Sequence, residues 1–330
     1  MRAPEFWDEA PGLLAGLLAP VGAALDAAGR VRRCLVHPYR APVPVICVGN
    51  LVVGGAGKTP VVLALVKLLR QAGVEPHVVM RGYGGRLAGP ARVDPAAHDA
   101  GAVGDEALLA AARAPTWVAR DRAAGVRAAA EAGAGVILLD DGFQNPSVTK
   151  DLSLVVVDAA YGFGNGRLLP AGPLRERVED GLARADAVVL LDGDPAAASP
   201  ALAGFDRAIL RAALVPLEAE RLVGVRVVAF AGIGRPEKFF ATLRRLGAEI
   251  VAEMPFPDHR PFGASELDAL RKRAQREQAR LVTTAKDWVR LPEDRRGGIE
   301  VLAVEIAWRD PAAVVALLAP VLRAPAVDGD

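Results

Sequence analysis

The 330-residue chain predicts an α/β protein: a parallel sheet flanked by helices, a second and smaller α/β domain, and an amphipathic helix at the N-terminus. Three observations carry this expectation. Apolar runs alternate with helical stretches along most of the chain. The runs are continuous rather than alternating, which marks strands covered on both faces. The first of them enters a Gly-rich turn that opens a helix.

Taken in order, strands are expected at 43–48, 77–80, 136–139, 152–157 and 187–191, with helices such as 60–71 and 121–132 between them. A second set of strands follows at 225–230, 250–253, 281–284 and 300–304, with helices over 236–246 and 264–279. The Gly-, Pro- and Ser-containing stretch 192–204 reads as a surface loop near the boundary. The expected organisation is an N-terminal helical segment over 1–35, a main domain over 36–215, a smaller α/β domain over 216–305 and a closing helix within 306–330. Hydrophobic residues at 52% and charged residues at 24% exclude a disordered or collagen-like chain. Lys plus Arg number 40 against 39 Asp plus Glu, so no bulk field recruits nucleic acid. Two cysteines cannot build a disulfide framework and fit a reducing compartment.

The N-terminal stretch from Ala10 to Leu25 holds 16 uncharged residues. As a helix it reaches only about 24 Å, short of the ~30 Å hydrocarbon core of a bilayer. Leu13, Leu14, Leu17, Leu18, Val21 and Leu25 share one arc, joined by Phe6 and Trp7, and Arg30, Arg32 and Arg33 follow. Such a helix either lies in a membrane interface or packs its leucines on the protein's own core. Asp8 and Glu9 stand where a signal peptide carries basic residues, which argues against one.

The strongest local signal is VPVICVGNLVVGGAGKTP, residues 43–60. Gly54, Gly55, Ala56 and Gly57 let backbone N–H groups curl around a phosphate, and the helix opened by Lys58 and Thr59 adds positive potential. Lys58 is placed to reach the terminal phosphates of a nucleotide, and the Thr59 hydroxyl to hold Mg²⁺. The first glycine of the usual pattern is replaced by Val52. The complement is VILLDD at 136–141, a buried strand ending in Asp140 and Asp141, which suits Mg²⁺ binding. The fold expected is therefore P-loop NTPase-like.

Other constellations leave alternatives open. Arg81, in RGYGG, binds a phosphate or is a surface turn residue. Asp105 and Glu106, in VGDE, open a helix and favour its N-terminus electrostatically, or do chemistry. GFGNGRLLPAGPLRE at 162–176, with Arg167, Arg175 and Glu176, is a long connection or closes over a ligand. Asp258 and His259 in PFPDHRPF serve proton transfer or structure. No zinc cluster or hydrolase elbow is present in the sequence.

In one order, VGNLVVGGAGKTP, RGYGG, VGDE, LDDGFQN, GFGNGRLLPAGPLRE, FAGIGRPEKFF, FPDHRPF and LVTTAKD resemble the tetraacyldisaccharide 4'-kinase (lipid A 4'-kinase) family across residues 48–287. The resemblance implies ATP- and Mg²⁺-dependent phosphorylation of the 4'-hydroxyl of an acylated glucosamine disaccharide 1-phosphate, the lipid A precursor. It implies Asp105 and His259 as a dyad, with Asp105 taking the hydroxyl proton and His259 orienting it. Lys58 and Asp141 join them in catalysis, and Thr59, Asp140 and Asp141 serve the metal. Gly54 to Thr59, Arg81, Gln144, Arg175 and Glu176 bind the nucleotide or the lipid phosphate. It further implies an enzyme on the cytoplasmic face of the bacterial inner membrane, held there by its N-terminal helix, with no obligate protein partner. Because Asp105 and His259 fall in different domains, closure is expected to assemble the site. Asn145 and Ala285 depart from the family pattern, and Val52 does not. The competing readings are a soluble P-loop kinase or ATP-dependent ligase acting on a small metabolite, and a nucleotide-binding switch with a protein partner.

Overall fold

The computed structural model describes residues 4–54, 57–194 and 198–323. Its larger sheet has nine strands in the order β13-β8-β7-β6-β1-β5-β2-β4-β3. The central strands are β1 (Val45–Gly49), β5 (Val136–Asp140), β6 (Leu152–Asp158), β2 (Pro76–Met80) and β7 (Ala187–Leu191), all parallel and buried along their whole length. Burial on both faces explains their unbroken apolar sequences. Ile46 and Val48 point to one core with Val61, Leu65 and Leu69, while Val45 and Cys47 point to the other with Val126 and Phe143. The first of these cores is covered by α2 (Lys58–Gln71) and α4 (Asp105–Ala111), which follows the short α3 (Ala100–Val103). The second is covered by α5 (Arg122–Glu131) and α6 (Val178–Arg184). The sheet continues through β4 (Thr116–Val118) and β8 (Ala208–Pro216), and its edges β3 (Ala91–Arg92) and β13 (Val304–Trp308) run antiparallel. A short helix α7 (Pro200–Ala203) lies between β7 and β8.

The smaller sheet has four parallel strands in the order β10-β9-β11-β12. These are β9 (Arg226–Ala231), β10 (Glu249–Pro255), β11 (Arg280–Thr284) and β12 (Ile299–Leu302), interleaved with α8 (Pro236–Arg245), α9 (Ala264–Arg276) and α10 (Ala285–Trp288). Phe230 packs edge-on against Phe256 and Phe262, with centroids 6.4 and 5.3 Å away. The apolar run expected as one strand over 300–304 is two. Leu302 ends β12 in the small sheet, and Val304 begins β13, which pairs with β8 in the large one. Helix α11 (Pro311–Arg323) then buries Val314 and Leu318 in the first core.

The N-terminal helix α1 (Leu13–Leu35) has 23 residues, so it begins later and runs ten residues further than its apolar stretch. Phe6 and Trp7 do not share it. They lie in a separate 3₁₀ turn, where the buried Trp7 indole donates to the Pro170 carbonyl at 3.2 Å. The leucines do not pack on the core: Leu13 is 91%, Leu17 77% and Leu35 72% exposed. Seating falls to the other face, through Ala15, Gly22 and Asp26. An added Cβ on Gly22 would come within 3.0 Å of the Leu169 carbonyl, so only glycine allows that approach. Among the described residues α1 is the one helix long and apolar enough to cross a membrane. Its C-terminal half, however, is tied to the main body by Asp26–Arg177 (3.6 Å), Arg30–Asp180 (3.6 Å) and Arg33–Glu176 (3.7 Å).

Candidate active site

The carboxyl edge of the large sheet, where parallel sheets bind ligands, holds the site. β1 runs through the buried Asn50 into the Gly-rich loop, and Gly57 caps α2 with φ +81°. Asn50 braces the loop: its Oδ1 accepts from Lys58 Nζ at 3.2 Å and its amide donates to the Gly54 carbonyl at 3.4 Å. Val52 is buried and bridged to Leu174, so a side chain is accommodated where the usual pattern has glycine. Gly55 and Ala56 lie outside the described residues.

Asp140 and Asp141 end β5 in different environments. Thr59 donates its hydroxyl to Asp140 Oδ2 at 2.8 Å. Burial pushes the Asp140 carboxyl up to about 7, and the charges of Glu106 and Asp141 add to this against Lys58 and Thr59. Asp141 turns out of the strand with φ +54°. Its two oxygens take a bidentate contact from Arg175 at 2.7 and 3.2 Å, and Lys58 stands 3.6 Å away. Burial opposes its ionisation, but Lys58 and Arg175 outweigh that and hold it below the ordinary carboxylate value. Thr59 and Asp140 offer hard oxygen donors in a buried setting that a cation would relieve, which fits Mg²⁺. Among the described residues no three His, Cys, Asp or Glu side chains are arranged to hold a metal ion, so such an ion takes most of its ligands from phosphates and water.

On the facing side, α4 presents Asp105 and the small lobe presents His259. Asp105 Oδ2 lies 3.0 Å from His259 Nδ1 and 3.5 Å from Arg290 Nε, and Oδ1 accepts from the Glu106 N–H at 2.8 Å. Burial raises the Asp105 carboxyl, yet the hydrogen bond from His259 and the charges of Lys286 and Arg290 bring it below its usual value. His259 adopts φ +58°, a left-handed conformation that aims its ring back at the first lobe. The pair expected to meet on closure is in contact in this structure. Glu106 links the two halves electrostatically, since its charge reaches Asp140.

Other expected residues take distinct places. Gln144 donates to the Asn50 carbonyl (2.8 Å) and to Glu176 (3.0 Å), supporting the loop from beneath. Glu176 is 1% exposed, held by Gln144, Arg184 and Arg33, so it faces the protein interior as a strut under α1. Arg81 is exposed at the end of β2. The stretch 162–176 is no lid: Phe163, Ala171 and Leu174 are buried, and Asn165 binds the Phe6 carbonyl (3.2 Å), so it is the seat of the N-terminal segment. Asn145 closes its own turn onto Ser147, and Ala285 simply starts α10. Sequence reasoning missed Asn50, Arg290, Lys286 and Arg122. Arg122 is buried at the start of α5, where burial disfavours its charge and lowers its value, with Asp141 and Asp140 opposing that only in part. Nothing in its local sequence distinguishes it, whereas Lys286 stood inside LVTTAKD without a role.

A phosphate loop at the carboxyl edge of a parallel sheet, with an acid–imidazole pair across the cleft, defines a P-loop phosphotransferase. A family model described as tetraacyldisaccharide-1-P 4'-kinase matches residues 14–323. The chain is 59% identical over 328 residues to the tetraacyldisaccharide 4'-kinase of Rhodospirillum centenum, covering 98% of this chain and 97% of that protein. It is 53% identical over 318 residues to that of Paramagnetospirillum magneticum, covering 96% and 98%. The crystal structure of LpxK from Aquifex aeolicus in complex with ATP matches with a TM-score of 0.73 at 26% identity, over 94% of this chain and 100% of that one. The chain belongs to the tetraacyldisaccharide-1-phosphate 4'-kinase family.

Proposed function

We infer that this chain transfers the γ-phosphoryl group of ATP to the 4'-hydroxyl of a tetraacyldisaccharide 1-phosphate. The observation that carries the mechanism is the 3.0 Å contact between Asp105 and His259 facing the Lys58–Thr59–Asp140 cluster. A sugar hydroxyl is a weak nucleophile and needs a base at hydrogen-bond distance. The sequence reading gave that role to Asp105. The geometry favours the reverse order, because Asp105 is 2% exposed with both oxygens engaged, while the His259 side chain is 24% exposed. His259 Nε2 takes the hydroxyl proton as the sugar oxygen attacks phosphorus and the bond to the ADP oxygen breaks. Asp105 holds the ring through Nδ1–H and stabilises the imidazolium that forms. Lys58 and the loop amides offset charge on the phosphoryl oxygens. Thr59 and Asp140 would hold Mg²⁺, which when bound neutralises phosphate charge. Arg175 fixes Asp141 beside Lys58.

The exposed leucine face of α1 supports docking on a membrane surface, with Arg32 near lipid phosphates and the ion pairs of Asp26, Arg30 and Arg33 keeping the helix against the protein. We take the enzyme to work at the membrane that carries its lipid substrate, on the cytoplasmic side where ATP is present. We also take 36–215 and 216–305 as its two working domains, with Pro216, Val304 and Glu305 at the boundary belonging to the large sheet. The test follows ATP consumption with and without the acylated acceptor in mild detergent. ADP release that depends on the acceptor is expected, and acceptor-independent turnover would refute the assignment.

A further inference from the structure

Lys286 stands at the first residues of α10 and has no part in the mechanism above. Its Nζ lies 3.3 Å from His259 Nε2, 3.3 Å from Asp258 Oδ1 and 3.4 Å from Glu106 Oε1. Two hydrogen bonds and an ion pair thus engage this ammonium, so it is not free to neutralise a phosphate. We propose that Lys286 is a positioning residue that keeps His259 neutral, with its proton on Nδ1 and its Nε2 lone pair directed to the place the acceptor hydroxyl must occupy. The proposal rests on the reading that His259 is the proton acceptor.

The chemistry of the partners decides the tautomer. Asp105 is ionised and only accepts, so His259 Nδ1 carries the hydrogen. An ammonium only donates, so Nε2 facing Lys286 is bare. Burial disfavours the ammonium, but Glu106, Asp105 and Asp258 outweigh it and hold Lys286 above the ordinary lysine value. The charged and titratable groups around the ring are Asp105 and Glu106 from α4, Asp258 from its own loop, Tyr83 from the loop after β2, and Lys286 and Arg290. Asp258 Oδ2 stands 3.6 Å from Nε2. Asp105 at Nδ1 and Asp258 beside Nε2 can both only accept hydrogen from the ring, and a hydrogen on Nε2 would leave no lone pair there for the acceptor. Arg290 pairs with Asp287 and with Asp105 on the Nδ1 side, leaving Lys286 as the cation at Nε2. The acceptor hydroxyl then replaces the ammonium at Nε2, and Asp258 and Glu106 retain the displaced Lys286.

The test is kcat/KM for the acylated acceptor against pH for wild type, Lys286→Met, Lys286→Gln, Lys286→Arg and His259→Ala, each checked by thermal melting. Loss of the positive charge is expected to move the acid limb of the Met and Gln profiles up by about one pH unit, roughly tenfold in rate on that limb. Activity returns at alkaline pH, and Lys286→Arg keeps the wild-type profile. ¹⁵N spectra of labelled imidazole are expected to show more imidazolium at His259 in Lys286→Gln at a given pH. A pH-independent loss, or a loss confined to KM, with an inactive His259→Ala would overturn this proposal and leave the kinase reading standing. A fully active His259→Ala would overturn the reading beneath it.

Discussion

Asp105→Asn keeps the shape of a buried side chain and removes its charge. In the structure its carboxylate satisfies the Glu106 N–H at 2.8 Å, His259 Nδ1 at 3.0 Å and Arg290 Nε at 3.5 Å. The amide oxygen can serve only some of these, and the amide NH₂ facing His259 demands an acceptor at Nδ1. The ring then moves its proton to Nε2, the nitrogen that should receive the acceptor's proton. Losing a positioned base costs about 10²- to 10⁴-fold in rate, or ~3–5 kcal/mol at 1.36 kcal/mol per decade. The loss should fall on kcat, because Asp105 is too buried to touch the acceptor. Stability should fall by about 1–3 kcal/mol, the cost of leaving a buried donor poorly matched. Steady-state kinetics with labelled ATP and a thermal melt measure both. A loss under tenfold, or one confined to the KM of the acceptor, would refute the reasoning.

Four further outcomes follow from the geometry. Thr59→Val strips the donor from Asp140 and the hydroxyl from the metal position. It should cut kcat about 10- to 100-fold, ~1.4–2.7 kcal/mol, and raise the Mg²⁺ concentration needed, seen by titrating Mg²⁺ at fixed ATP. Gly49→Ala would put a Cβ 2.4 Å from Phe143 Cβ in the core, and overpacking there should cost about 1–3 kcal/mol in a denaturant melt. Leu13→Glu with Leu17→Glu should abolish co-sedimentation with lipid vesicles while leaving the melting temperature unchanged, since both side chains are exposed. Asp105 and Asp141 titrate below the ordinary 3.8 in the folded protein, so their stabilisation is complete above that value and is lost as pH falls through the lower folded values. The melting temperature should therefore drop steeply below about pH 4, and Asp105→Asn should flatten that slope.

What the sequence made legible was whatever has a local signature. The buried central strands announced themselves because a strand covered on both faces needs no polar alternation. β8 was missed because Ala208–Pro216 is half exposed, and β4 because Thr116–Val118 is three residues long. The split at Ala303 depends on which sheet each half pairs with, a tertiary fact. Likewise Lys58, Thr59 and Asp140 were visible from loop and strand-end chemistry. Asp105 and His259, 154 residues apart, were paired only through the family resemblance. Phe6 and Trp7 fit the leucine arc on a helical wheel, but Pro11 and Gly12 start a new helix and leave Trp7 to bury itself elsewhere. The resemblance puts Glu176 beside Arg175 among the binding residues; in the structure the two turn opposite ways, Arg175 to Asp141 and Glu176 to the interior, an orientation set by tertiary partners and not by local sequence.

The central claim, transfer from ATP to the acylated disaccharide through this site, is met most directly by ³¹P NMR of the lipid product. The protein, Mg²⁺, ATP and tetraacyldisaccharide 1-phosphate are combined in mild detergent, with Lys58→Ala and His259→Ala as controls. A new phosphomonoester at the 4'-position, matched by equimolar ADP and lost in both variants, is the predicted result. ATP binding without a phosphorylated lipid, or an unchanged yield from His259→Ala, would contradict it.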